Sequence, residues 1–233
     1  MVGIQESLFP TTEGPVRPPR VVLNLGGGVD SSAMVARFLL EPEVRDFDLE
    51  DLTVLTAVVG RSDEYQSTQD ALNAAVFPLL AARAVRTVQV ARIGAAAGEG
   101  YAVLEDTRRP TRLLREETTW SLYEHQLRRG IVPLVSPNKR DCSQKAKHYA
   151  LERFCRDDIG PHPYRQMLGF DATETKRIAT DIKHATEFRR PEHPLATPGM
   201  GSPTVQGLPA RGLRDRRFPA LRVLLLPLRL QRQ

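Results

Sequence analysis

Cysteine is scarce in this chain: Cys142 and Cys155 are the only two among 233 residues. Two thiols cannot make the disulfide framework of a small secreted domain, and there is no C-x-x-C pair to hold zinc. An iron–sulfur cluster takes about four thiolates, so this composition does not support one. The scarcity fits a reducing, cytoplasmic setting. Long apolar runs are also missing. Val223 to Leu226, the longest run near the C-terminus, falls far short of the ~20 residues of a membrane span. No basic segment followed by an apolar run opens the chain, so neither a signal peptide nor a membrane partner is expected. Five histidines are scattered without metal-ligand spacing, and His162 and His193, beside prolines, read as loop residues. Trp120 and Tyr123 read as helix packing rather than as a base-stacking platform.

Charge is unevenly distributed. The chain has 33 basic and 28 acidic side chains, a net +5. Residues 191–233 hold seven Arg, no Lys and two acids, Glu192 and Asp215, so this stretch carries the whole excess. Residues 1–190 are neutral. The basic balance therefore gives no reason to expect a nucleic-acid partner for the domain; only the tail keeps that option open.

Residues 1–20, rich in Pro, Thr and Gly, read as a disordered lead-in. Val21 to Leu25 is an apolar run ending in three glycines, a buried strand feeding a tight turn. Apolar spacing from Ser31 to Leu40 predicts a helix, stopped by Pro42. Leu52 to Val59 predicts a second strand. Tyr65 to Arg83 predicts helix with a break near Pro78, and Val85 to Ile93 a third strand. Gly94 to Gly100 reads as a loop and Asp106 to Arg115 as a polar, Arg-rich stretch. Further helices are predicted over Thr119–Arg129, Ser143–Cys155 and Thr173–Phe188, with short strands at Ile131–Val135 and Tyr164–Phe170. Strands alternating with helices predict an α/β fold, a Rossmann-like, doubly wound, mostly parallel sheet over residues 21–190.

The chemistry concentrates in Gly26-Gly27-Gly28-Val29-Asp30-Ser31-Ser32. A strand ending in small residues and running into a helix builds an anion site. Glycines bring backbone N–H groups close to phosphate oxygens, and the helix points its positive end at the same place. Ser31 and Ser32 offer hydroxyl donors. Asp30 would repel phosphate unless Mg²⁺ lies between them, since magnesium takes carboxylate and phosphate oxygens together. The pattern is neither G-x-G-x-x-G nor G-x-x-x-x-G-K-[ST]. The bland alternative is a glycine-rich turn with Asp30 capping the helix.

The segment resembles the PP-loop of the adenine nucleotide α-hydrolase-like superfamily, S-G-G-x-D-S-[ST], with Gly26 in place of the first Ser. Three more segments resemble the phosphoadenosine phosphosulfate reductase-like family. Glu64-Tyr65-Gln66-Ser67-Thr68 is similar to its acidic-aromatic-x-x-Thr stretch. Arg140-Asp141-Cys142-Ser143 with Lys147 is similar to Arg-x-Cys-[ST]-x-x-x-Lys. Gly169 to Arg177 is similar to Gly-x-x-x-x-Glu-[ST]-x-x-Arg, with one spacer residue fewer before Arg177, and contributes Glu174. The resemblance implies an enzyme that binds ATP or an adenylyl sulfate as substrate and acts at its α-phosphate or sulfonate. Gly26, Gly27, Gly28, Val29, Asp30, Ser31, Ser32, Gly169, Glu174 and Arg177 would bind nucleotide. Asp30, Arg140 and Lys147 would serve the chemistry, and Asp30 would meet Mg²⁺. A thiol electron donor would be needed only for a reductase, and a homodimer is compatible with the family.

The family's reductases carry their nucleophilic thiolate on a C-terminal cysteine, and here no cysteine follows Cys155. Cys142 lies inside a binding motif and is not read as that nucleophile. Residues 191–233 change character, with Pro, Arg and Leu dominant and no periodicity. His193-Pro194-Leu195 begins the family's continuation, which usually goes on to a Trp-Gly-Trp-Asp-Arg-like stretch, and there the likeness stops. Two readings fit: a disordered basic tail, or a shifted reading frame. Met200-Gly201 must be encoded ATG-GGN, so a one-base shift forces a Trp codon. The alternatives to the enzyme are a non-catalytic or degenerate nucleotide-binding protein, and a component of a nucleic-acid sulfur-modification system. The frame-shift reading predicts that the gene spells a family-like, cysteine-bearing continuation one base out of frame after codon 200; sequencing the gene checks it, and codons that cannot do so refute it.

Overall fold

The computed structural model describes residues 20–60, 63–115, 117–130, 135–136, 139–140, 146–160 and 162–197. Cys142, residues 131–134 of the strand expected over Ile131–Val135, residues 1–19 and the tail from 198 lie outside the described residues, as does the side chain of Arg140. No helix among the described residues is long and apolar enough to cross a membrane.

The architecture is α/β, built on a six-stranded, mostly parallel sheet. The apolar run at Val21 forms β1 (Arg20–Asn24), and the glycine turn delivers the chain into α1 (Val29–Leu40). β2 (Leu52–Val58) and β3 (Arg86–Arg92) add alongside, β1 pairing with β2 and β2 with β3 in parallel. Between them runs a helical segment of α2 (Gln66–Ala71), a wide π turn (Leu72–Val76) and α3 (Phe77–Ala82). β4 (Tyr101–Thr107) returns antiparallel along β3. α4 (Leu122–Arg128) follows, then a two-stranded ribbon of β5 (Val135–Ser136) and β6 (Lys139–Arg140), and α5 (Tyr149–Phe154). β7 (Tyr164–Met167), α6 (Thr175–Lys183) and β8 (Arg189–Glu192) complete the sheet in the order β4-β3-β2-β1-β7-β8.

β1 and β2, in the middle of the sheet, are largely apolar without alternation because both faces are covered. Val21 and Leu23 pack with Met34, Val35, Phe38 and Leu39 of α1 and with Phe77 and Leu80 of α3. Val22 points the other way, joining Leu55, Val88 and Val90 against Ala150 and Phe154 of α5. Each such fully buried side chain contributes roughly 1.5–3 kcal/mol relative to an exposed one. Cys155 is in this second cluster, 1% exposed, and burial pushes its thiol up to about 12. It is therefore a neutral packing residue at physiological pH.

Several expectations are corrected. The helix does not break at Pro78. The π turn before it widens the spiral, so the proline ring avoids the carbonyl of the preceding turn and takes a place in the first turn of α3. Tyr101–Thr107, to which no strand was assigned, is the edge strand β4. Its side chains are mostly half-buried and partly charged, which hides the alternation, and Glu105 accepts from the buried Gln89 amide at 2.7 Å. The helix expected to Phe188 stops at Lys183, and Arg189–Glu192 forms β8. Nothing apolar marks that strand. It is held by Arg165 of β7, whose Nε and Nη2 donate to the two oxygens of Glu192 at 2.9 and 2.8 Å. The fold thus runs past the boundary drawn at 190, as far as Leu195, which is 1% exposed against the α1 cluster. Tyr123 is 51% exposed and is not a packing residue, whereas Trp120 is buried with Val59, Leu122 and Ala146.

If Leu195 belongs to the core, Leu195→Ala lowers stability by about 2–5 kcal/mol. Urea denaturation of the full chain measures this, and a change within error would return the boundary to 190.

Candidate functional site

β1 and β7 are parallel neighbours, yet the chain leaves β1 toward β2 on one side and reaches β7 only after crossing the sheet. Their carboxyl ends therefore diverge into loops running in opposite directions. Crevices at such crossing points are where open α/β sheets bind ligands. A cleft of about 500 Å³ lies there. The glycine loop contributes Gly26, Gly28, Asp30 and Ser31; the stretch after β7 contributes Leu168, Gly169 and Phe170; α6 and its N-cap residue add Glu174, Arg177 and Asp181. Ala57, Leu151 and Tyr164 give the cleft an apolar wall, and Lys147, His148 and Glu152 enter from the α5 side.

The loop is held open by its glycines. Gly27 has φ +78, a conformation L side chains rarely adopt, and a Cβ there would come within 3.3 Å of Thr68 Cγ2. Gly26 and Gly28 have nothing within 4 Å of a Cβ position, so their backbone faces open space. Gly28 caps α1 without a side-chain hydrogen bond, and Asp30 lies in the helix's first turn. The bland expectation, Asp30 as the cap, is thereby corrected. Ser31 and Ser32, both buried, donate to the Gly28 carbonyl at 3.2 and 2.9 Å, and Ser31 Oγ accepts from Gly26 N at 3.3 Å. The hydroxyls expected to face phosphate instead brace the loop, and the backbone N–H groups of the first turn carry the positive end of α1.

Gly169 fixes how the two sides meet. A Cβ there would be 2.8 Å from Ser31 N and 3.0 Å from Ser31 Cα, so only a glycine lets the strand end lie against the first turn of α1. Downstream, Glu174 pairs with Arg177 and accepts from Asp171 N at 3.3 Å. Arg177 lies 4.1 Å over the Phe170 ring, which stacks on His193 at 5.5 Å. His193, read as a loop histidine, lies in the loop that follows β8, and its largely covered side chain has Nε2 2.8 Å from Asp181 Oδ2.

Of the residues singled out from sequence, Gly26, Gly28, Asp30, Ser31, Lys147, Gly169, Glu174 and Arg177 line this one cleft; Gly27, Val29 and Ser32 do not. Lys147, expected to face an anion, forms an ion pair with Glu64, joining two segments far apart in sequence. Asn24, Gln166, Asp181 and Arg189 also line the cleft and were not singled out. A polar residue closing an apolar strand, two positions before the glycines, was the available signal for Asn24; Arg189 had none.

The chain was compared with family models, with curated proteins and with solved structures, and no match was found in any of the three.

Gly169→Ala is expected to push the strand end off α1 and lower stability by about 1–3 kcal/mol, the cost of overpacking. Thermal denaturation reads this out, and an unchanged midpoint would mean that the close approach is not required.

Proposed function

We propose that the cleft binds an adenine nucleotide and that the chain is a PP-loop protein of the phosphoadenosine phosphosulfate reductase-like kind, with a Rossmann-like fold. The observation that carries this reading is the contact of Gly169 with the first turn of α1. Two segments far apart in the chain, at Ser31 and at Gly169, each read from sequence as part of the same motif set, converge on one crossing point. In this reading the open backbone of Gly26 and Gly28 and the N-terminus of α1 receive the phosphates. The apolar wall of Ala57, Leu151 and Tyr164 receives the adenine ring.

Magnesium fits the residues present. No group of three or more His, Cys, Asp or Glu among the described residues could hold a metal by itself, but magnesium keeps several waters and takes phosphate oxygens with as little as one carboxylate. Asp30, lining the cleft in the first turn of α1, would supply that carboxylate. Bound with the nucleotide, the ion would neutralise charge on the phosphates. The chain's own contribution is electrostatic and positional. The α1 N-terminus and Lys147 stabilise negative charge leaving the α-phosphorus, and Arg177, seated over the Phe170 ring, holds the far end of the ligand.

A second reading, nucleotide binding without turnover, is favoured by one feature. Lys147, Arg177 and Arg189, the cations lining the cleft, each already hold a carboxylate: Glu64, Glu174 and Asp181. An anionic substrate would have to displace these partners. The two readings part on pyrophosphate release. The full chain with Mg-ATP is expected to release pyrophosphate, and Asp30→Ala to reduce that at least 100-fold, roughly the loss when a principal electrostatic group is removed. Calorimetric binding of Mg-ATP without release supports the second reading, and no binding at millimolar nucleotide overturns both.

A further inference from the structure

A chain of polar side chains crosses three parallel strands at the floor of the cleft. Arg189 opens β8, Gln166 lies in β7 and Asn24 ends β1. Arg189 Nε donates to Gln166 Oε1. Its other nitrogens are committed as well: Nη2 to the Asp181 carboxylate, and Nη1 to the carbonyls of Asp181 and His184 at 3.4 and 3.2 Å. Asp181 is held in turn by His193. Gln166, only 6% exposed, passes the chain on, its Nε2 donating to Asn24 Oδ1 at 3.3 Å.

The order of donors and acceptors in this chain has one solution. A guanidinium only donates, so Gln166 must turn its oxygen to Arg189 and its NH₂ toward Asn24. That NH₂ also only donates, so Asn24 must present its oxygen to Gln166 and carry its own NH₂ on the other side. Asn24 shares the strand face of Val22, the face of Leu55 and Tyr164, and lines the cleft between the glycine loop and the apolar wall.

We infer that Arg189 and Gln166 are positioning residues that fix the Asn24 amide as a hydrogen-bond donor to a sugar oxygen of the bound nucleotide. This rests on the nucleotide reading above. Between a phosphate site at the glycines and a ring site at Ala57, Leu151 and Tyr164 lies the sugar, whose oxygens accept. Asn24 is thus a specificity residue for a nucleoside phosphate over a bare phosphate chain.

The test uses the full chain with two magnesium-bound probes, ATP and inorganic pyrophosphate, which has no sugar. Asn24→Ala deletes the donor. Gln166→Glu reverses it, because a carboxylate accepts from Arg189 with one oxygen and forces Asn24 to turn its NH₂ toward the other. Each variant is expected to weaken Mg-ATP binding about tenfold, the value of one hydrogen bond, and to leave pyrophosphate affinity and the melting temperature unchanged. In the Asn24→Ala background, Gln166→Glu is expected to have no further effect. Two results overturn the inference: Gln166→Glu weakening ATP equally in both backgrounds, which marks a plain charge effect, or pyrophosphate weakening as much as ATP. A wild-type chain that binds pyrophosphate, with variants that bind ATP normally, overturns this inference and leaves the phosphate site standing. A wild-type chain that binds neither probe overturns both.

Discussion

The parallel pairing of β1 with β7, and the backbone-on-backbone contact that follows from it, governs the rest of this structure. Once the two strands lie side by side, their continuations must part, because one leads across β2 and the other across β8. The cleft is the space left by that parting. Its two rims are locked together where Gly169 touches the first turn of α1, a contact no side chain allows. Helix dipole, open glycine backbone and the polar residues of α6 converge because of this geometry rather than through contacts with one another.

Around that constraint the polar groups are organised in pairs. Lys147 with Glu64, Arg177 with Glu174, and Arg189 with Asp181 place cations at the cleft without leaving them uncompensated. A buried or half-buried cation without a partner would carry a desolvation cost of several kcal/mol. In the proposed reading, pairing holds these cations ready for an anionic ligand and, in the same stroke, sets the competition that ligand would have to win. Magnesium arriving with a nucleotide would ease that competition by bringing positive charge of its own.

How much was legible beforehand follows from what each element rests on. β1 and β2 were visible because burial on both faces demands unbroken apolar runs, α1 because its apolar residues recur at helical spacing, β3 because its β-branched residues alternate, and the glycine loop because glycines make that turn. β4 and β8 were hidden. Both are edge strands with charged residues, and what holds them is pairing with a neighbour: Gln89 to Glu105 in one case, Arg165 to Glu192 in the other. Local propensity carries no trace of a partner many residues away. The same reason placed the boundary too early, since Leu195 reads as tail until α1 is seen beneath it.

By itself, the sequence determined the alternation of buried strands and helices, the glycine-loop pattern and the residues from which a site could be assembled, because these depend on local spacing and backbone freedom. Tertiary structure alone decided which of them share a cleft, that Ser31 and Ser32 brace the loop, that Lys147 meets Glu64, and that Arg189 reaches Asn24 through Gln166. Those outcomes depend on strand order and on which donor faces which acceptor across the sheet, and neither is encoded in the spacing of residues along the chain.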